Sequence, residues 1–141
     1  MRVPIVRQTA DHNCGEAVVE SILRHYGSKV RGLSFSSQVD GTAPRTIECF
    51  LRKQGFSVVS GNFSWTLLKH YIGRRLPVLV CRGGHWLVVC EIRDRSVWLM
   101  DPLYDDHVRE SIIRFKRSWN DWDSMATEYT SWAIAPSPYI Y

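Results

Sequence analysis

The sequence predicts an α+β domain in which N-terminal helices pack on a C-terminal antiparallel sheet. In the first half of the chain, apolar residues recur at the spacing of amphipathic helices. In the second half, short segments rich in β-branched and aromatic residues alternate with turn residues. Of the 141 residues, 45% are hydrophobic, which is enough to bury the core of one domain covering residues 1–141. Helices followed by strands are typical of α+β folds.

Three helices are expected in the first half. Residues 11–13 supply cap-type side chains before the first helix, whose apolar face excludes Glu16 and Glu20. The other two helices each end at a glycine, and Ser64 is the expected N-cap of the third. These two helices are expected at residues 45–54 and 65–72. The polar stretch at residues 28–43 is predicted to be an irregular connector that borders a site.

Six strands are expected, most of them in the second half. They are predicted at residues 56–59, 76–81, 86–92, 96–100, 112–115 and 131–135. Residues 86–90 are apolar on both faces of the strand that contains them. This strand is therefore predicted to be central in the sheet, with both of its sides covered.

Charge and cysteine content limit the kinds of partner and compartment. The net charge is +4, but the basic residues are scattered along the chain, so no nucleic-acid partner is expected. No apolar run approaches the length of a membrane span, and the apolar run at the N-terminus is too short for a signal peptide. The four cysteines lack the dense spacing of a disulfide-stapled secreted module. We therefore expect a cytoplasmic protein.

Cys14 stands at the predicted start of the first helix. A helix N-terminus lowers the pKa of a thiol because its N–H groups and the positive end of its dipole favour the thiolate. Gly15 leaves the approach to the sulfur open, and free N–H groups at the same place can hold an oxyanion. The alternative is that Cys14 is an inert small residue that fills the first helical turn.

His85 and Asp101 are predicted to lie on neighbouring strands. If residues 93–95 form the hairpin turn, Leu87 pairs with Asp101, and His85 becomes the diagonal neighbour of Asp101 on the same face. A carboxylate beside an imidazole fixes its tautomer and stabilises the imidazolium. A slip of one residue would separate the two side chains, and each alone is compatible with an ordinary strand-edge or turn residue. Gln8, on the extended lead-in, is a candidate amide donor to an oxyanion.

Three motifs follow one another along the chain. Residues 8–17 read QTADHNCGEA and the helix that follows ends in HYG; residues 84–89 read GHWLVV; and residues 97–102 read VWLMDP. In order and spacing they resemble the peptidase C39 family, papain-like cysteine peptidases best known as the leader-peptide-cleaving domains of bacteriocin-exporting transporters. The likeness departs from the family at Asn13, where Asp is usual, and at His25, where Tyr is usual.

The resemblance implies a papain-like fold and a role for each candidate residue. Cys14 corresponds to the nucleophile, His85 to the general base, Asp101 to the residue that orients the histidine, and Gln8 to the oxyanion donor. The implied substrate is a peptide or protein, such as a double-glycine leader or a conjugate tail, and the implied partner is a transporter. Neither a cofactor nor a metal is expected.

Other interpretations of the same residues stay open. The chain is alternatively a non-catalytic C39-like domain that binds a peptide, or a deconjugating isopeptidase or acyltransferase that uses the same triad. A metal site formed by His12, Cys14, Cys81 and His85 is disfavoured, because the sequence lacks the paired Cys-x-x-Cys spacing of zinc sites.

Overall fold

The computed structural model of the chain describes residues 2–36, 42–120 and 131–138. In chain order the elements are α1 (Cys14–His25), α2 (Pro44–Lys53), β1 (Ser57–Asn62), α3 (Trp65–Gly73), β2 (Val78–Arg82), β3 (His85–Arg93), β4 (Ser96–Met100), β5 (Val108–Ser111), α4 (Ile112–Asn120) and β6 (Trp132–Ser137). The predicted connector has no regular structure at residues 28–36 and 42–43, and its residues 37–41 lie outside the described ranges. None of the helices in these ranges is both long and apolar enough to cross a membrane.

The six strands form one sheet in the order β1-β6-β2-β3-β4-β5, and every neighbouring pair is antiparallel. One face packs against α1 and α2, and the other face packs against α3 and α4. The predicted α+β class with an antiparallel sheet is confirmed. The strand predicted before the third helix is found as β1, and the order departs from the prediction at α4, a helix that lies between β5 and β6.

The central position predicted for the apolar strand is confirmed. β3 lies between β2 and β4, and its residues from Trp86 to Cys90 are at most 1% exposed. Because side chains alternate along a strand, Trp86 and Val88 face α1 and α2, whereas Leu87 and Val89 face α3 and α4. β3 therefore anchors both layers of helices, and His85 is its first residue.

The strand predicted at residues 112–115 is wrong, because these residues begin helix α4. The Ser111 hydroxyl accepts a hydrogen bond from the Arg114 N–H, so a cap residue precedes the helix. Phe115 and Trp119 are buried one helical turn apart. The β-branched pair Ile112 and Ile113 favoured a strand locally, but packing of the helix on the sheet outweighs this preference.

Candidate active site

The residues before α1 fold into a tight turn held by the Asn13 side chain. Asn13 Oδ1 accepts hydrogen bonds from the N–H groups of Thr9 and Ala10, at 3.1 and 3.0 Å. Asn13 is the N-cap by position, but its side chain bonds backwards instead of capping the helix. This arrangement places Cys14 as the first residue of α1, with 5% of its surface exposed. As in any helix, the N–H groups of the first turn have no partner within the helix and favour negative charge.

Gly15 is required by the close approach of the connector. A Cβ atom at Gly15 would overlap the side chain of Thr42. The carbonyl oxygen of Thr42 in turn accepts a hydrogen bond of 3.1 Å from Trp86 Nε1. Thr42 therefore lies against both Gly15, which follows Cys14, and Trp86, which follows His85.

Gly15→Ala is expected to displace Thr42 and to destabilise the protein by ~1–3 kcal/mol, the usual cost of overpacking. The hydrogen bond between the Thr42 carbonyl and Trp86 is expected to be disturbed with it. Thermal melts of Gly15→Ala, Thr42→Gly and the double variant test this. The double variant should recover part of the stability that Gly15→Ala loses, since Thr42→Gly removes the overlapping atoms. Gly73→Ala is the matched control, because nothing lies within 4 Å of its added Cβ; equal melting temperatures of Gly15→Ala and Gly73→Ala would contradict the prediction.

Two buried carboxylates of α1 hold the connector in place. Glu16 accepts hydrogen bonds from the N–H groups of Phe35 and Ser36, and Glu20 accepts one from the N–H of Gly32. Burial opposes the charge of Glu16, but hydrogen bonds from the Ser36 hydroxyl and from the backbone outweigh it and lower its pKa. The sequence placed both residues off the apolar face, and no local signal marks them as buried.

The side chains of His85 and Asp101 are in contact, as the predicted register requires. His85 Nε2 lies 2.8 Å from Asp101 Oδ1, and Asp101 Oδ1 also accepts a hydrogen bond of 3.0 Å from the Leu103 N–H. His85 begins β3 directly after a two-residue turn. Gly83 and Gly84 form this turn, which requires the positive φ that both adopt, at 58° and 78°. Asp101 immediately follows β4.

Electrostatic coupling joins His85 to both Asp101 and Cys14. Burial disfavours the imidazolium, but hydrogen bonds to the side chains of Asp101 and Cys14 outweigh it and raise the pKa of His85 to about 9. Since Nε2 faces Asp101, the ring nitrogen left for Cys14 is Nδ1. For Asp101, burial raises the pKa, but the His85 and Leu103 hydrogen bonds are stronger, so its pKa lies below the ordinary value. The site therefore favours a protonated His85 beside an ionised Asp101.

The backbone of Gln8 is hydrogen-bonded to Pro102, the residue that follows Asp101. Its N–H donates to the Pro102 carbonyl at 3.0 Å, and its Nε2 donates to the Ala10 carbonyl at 2.8 Å. Its Oε1 is buried and has no hydrogen-bond partner among the described residues. The amide nitrogen has two N–H groups, and because one donates to Ala10, the other remains available. The oxyanion role of Gln8 stays a prediction.

The four residues of the alternative metal site do not form such a site. In the described part of the chain no group of three or more His, Cys, Asp or Glu side chains is arranged to hold a metal ion. All four cysteines are free thiols.

Comparison with known proteins agrees with this fold. The sequence profile of the peptidase C39 family matches residues 2–128. The chain is 27% identical over 130 residues to the lactococcin-G-processing and transport ATP-binding protein LagD of Lactococcus lactis subsp. lactis. That match covers 82% of the chain and 17% of LagD, so the chain spans less than a fifth of this relative.

Two solved structures are similar along nearly their whole length. The peptidase domain of Streptococcus ComA, a bi-functional ABC transporter involved in a quorum-sensing pathway, has a TM-score of 0.77 and 26% identity, and the match covers 98% of this chain and 100% of that one. A double glycine motif protease from an AMS/PCAT transporter, in complex with the leader peptide, has a TM-score of 0.74 and 19% identity, with coverage of 96% and 93%.

The fold is therefore that of a papain-like peptidase domain. The chain belongs to the peptidase C39 family.

Proposed function

We propose that the chain is a cysteine peptidase that hydrolyses a peptide after a Gly-Gly pair. Cys14 is the nucleophile, His85 the general base and acid, Asp101 the residue that orients His85, and Gln8 an oxyanion donor. The observation that carries the proposal is the position of His85, hydrogen-bonded to Asp101 at 2.8 Å on one side and to Cys14 on the other. This arrangement is the one that activates a nucleophile through an oriented base.

The reaction proceeds through an acyl-enzyme. The Cys14 thiolate attacks the scissile carbonyl carbon, and the oxygen that becomes negative is held by the Cys14 N–H and the Gln8 amide. The His85 imidazolium gives its proton to the leaving amine as the C–N bond breaks. Water then gives one proton to His85 and attacks the thioester. The thiolate leaves, so the thiolate and the imidazolium are restored, and the product is released as a carboxylic acid that loses its remaining proton to solvent.

Burial of the thiol supports a substrate that is narrow at the scissile bond. Cys14 is 5% exposed and the His85 side chain is 25% exposed, so a backbone carbonyl must come close without a bulky side chain beside it. Glycine is the residue that permits the closest approach of a backbone. The related AMS/PCAT enzyme, which is a double glycine motif protease, supports the same preference.

A transporter is the proposed partner, and the cytoplasm is the proposed compartment. LagD is a processing and transport ATP-binding protein, and ComA is an ABC transporter. The four free thiols suit a reducing environment, where disulfides are rare. The scattered positive charge gives no reason to expect a nucleic-acid partner.

Cleavage of a peptide panel tests the proposed function. The panel contains leader peptides that end in Gly-Gly, matched peptides with Ala-Ala at the same place, and ubiquitin-like conjugates. We expect mass spectrometry to find cleavage after Gly-Gly and at least ~10-fold slower cleavage after Ala-Ala, because each added methyl group must fit beside a buried thiol. Cleavage of the conjugates alone would instead assign the triad to deconjugation. Binding of the leader peptides without cleavage would favour a non-catalytic peptide-binding domain.

A further inference from the structure

Arg82 is the cross-strand neighbour of His85. It is the last residue of β2, and its Cα is paired with that of His85 across the turn formed by Gly83 and Gly84. Paired residues of antiparallel strands project their side chains to the same face of a sheet. The Arg82 side chain therefore starts on the same face as the imidazole of His85.

The guanidinium of Arg82 is tied to two elements beyond its own hairpin. Its Nη1 donates hydrogen bonds to Glu110 Oε1 on β5, at 2.7 Å, and to Ser118 Oγ on α4, at 3.2 Å. Its Cζ also lies 6.0 Å from the centroid of the Phe115 ring. Arg82 thus fastens the turn that carries His85 to β5 and α4.

The ion pair between Arg82 and Glu110 is better shielded from water than the ion pair between Arg7 and Asp105. The side chains of Arg82 and Glu110 are 21% and 17% exposed, whereas those of Arg7 and Asp105 are 51% and 86% exposed. Exposed ion pairs contribute little, because solvent screens them. The charge of Arg82 is less screened and acts on its neighbours over a longer distance.

Asp101 is one of the groups on which Arg82 acts. Burial raises the pKa of Asp101, and the opposing influences are hydrogen bonds from His85 and Leu103, followed by the charges of His85 and Arg82. An arginine guanidinium, unlike an imidazole, is not deprotonated in proteins. Arg82 therefore supplies a fixed positive charge on the sheet face that also carries His85.

The charged side chains that follow Asp101 in the sequence are paired or exposed to solvent. Arg7 pairs with Asp105. His107 Nε2 lies 2.9 Å from the Val3 carbonyl oxygen, and the side chain of Asp106 is 93% exposed. None of these groups is among the main influences on the pKa of Asp101.

We propose that Arg82 is a positioning residue for the triad, because it ties the turn that carries His85 to β5 and α4 and brings its positive charge to the face of the sheet from which His85 projects. The inference rests on the proposed function of His85 and Asp101. Glu110 is part of the same arrangement, since its carboxylate holds the Arg82 guanidinium in place and partly neutralises its charge.

Titration of His85 and Asp101 by NMR in Arg82→Gln and Glu110→Gln tests the proposal without any substrate. Loss of a positive charge favours protonation, so Arg82→Gln is expected to raise the pKa of both groups. Loss of a negative charge has the opposite sign, so Glu110→Gln is expected to lower both. A purely structural role would loosen the site in both variants and move the pKa of His85 in the same direction in each. Shifts of equal sign, or no shift in either variant, would overturn the proposal.

Kinetics provide the second measurement. We expect Arg82→Gln to lower kcat by ~10- to 100-fold, as misplacement of catalytic groups does, with KM changed by less than about twofold. Arg82→Lys keeps the charge and is expected to keep the wild-type titration of His85, so it serves as the conservative control if Arg82→Gln folds poorly. A wild-type titration of His85 in a folded Arg82→Gln variant would refute the proposal. Absence of cleavage by the wild type would refute the proposed function instead, and the titrations would still test Arg82.

Discussion

Replacement of Cys14 by alanine is expected to abolish peptide cleavage, lowering kcat by ~10⁵-fold or more, as loss of the nucleophile does in related chemistry. Alanine has no atom that can form the acyl-enzyme, so neither step of the proposed reaction remains. Because one buried sulfur atom is removed, the free energy of unfolding is expected to fall by only ~1 kcal/mol. Kinetics on the best substrate of the panel, together with thermal melts, measure both effects.

Cys49 offers a matched control for this variant. It is a free thiol on α2 and is exposed, whereas Cys14 is buried. Cys49→Ala is therefore expected to retain the wild-type kcat and melting temperature. Equal cleavage by Cys14→Ala and Cys49→Ala would show that another group attacks the carbonyl.

Replacement of His85 by alanine is expected to lower kcat by ~10⁵-fold and to slow alkylation of Cys14 by iodoacetamide at pH 6. In the proposed reaction the His85 imidazolium stabilises the Cys14 thiolate, and its proton passes to the leaving amine. Without the imidazole, alkylation should need the alkaline range in which an ordinary thiol ionises, near ~8.5. Mass spectrometry of the peptide that contains Cys14, in a Cys49→Ala background, measures the rate across pH.

The shifted pKa values of His85 and Asp101 determine how the stability of the folded protein depends on pH. The pKa of folded His85, about 9, lies above the ordinary value of 6.5, so its contribution to stability is complete below 6.5 and is lost as pH rises through about 9. The pKa of Asp101 is lowered, so its contribution is present above the ordinary value of 3.8 and is lost as pH falls through the lower folded value. The protonated histidine and the carboxylate therefore coexist between these limits.

Asp101→Asn separates the charge of Asp101 from its hydrogen bond. The asparagine Oδ1 still accepts a hydrogen bond from His85 Nε2, but the negative charge is gone. We expect its kcat and its rate of alkylation at pH 6 to lie between those of the wild type and His85→Ala. If Cys14 in His85→Ala is alkylated at pH 6 as fast as in the wild type, the proposed pairing of thiolate and imidazolium is wrong.

The contact between His85 and Asp101 shows how two errors in the predicted hairpin cancelled. The turn has two residues, not three: Arg93 pairs with Ser96, and both Asp94 and Arg95 have positive φ. This difference alone would place His85 and Asp101 on opposite faces. A bulge at Cys90 inserts one extra residue in β3, so Val88 pairs with Met100 and the predicted register returns at the site.

At helix α4 and at the connector, local sequence patterns did not predict the structure. The pair Ile112 and Ile113 predicted a strand, although Ser111, Phe115 and Trp119 carried the helical spacing and cap. Glu16 was predicted to lie off the apolar face, yet it is 6% exposed. Its burial depends on backbone N–H groups about twenty residues away, at positions 35 and 36, which a helical pattern does not contain.

The sequence by itself determined the α+β class, the central strand, the position of Cys14 at a helix start and the family motifs. These features depend on spacing within one element or between consecutive elements, and such spacing is visible in the order of residues. Tertiary structure alone decided that Asp101 and Cys14 both contact His85, that Thr42 packs where Gly15 lacks a side chain, and that Arg82 reaches Glu110. Each of these contacts joins segments far apart in the chain, and the distance between them is set by sheet register, a bulge and helix packing.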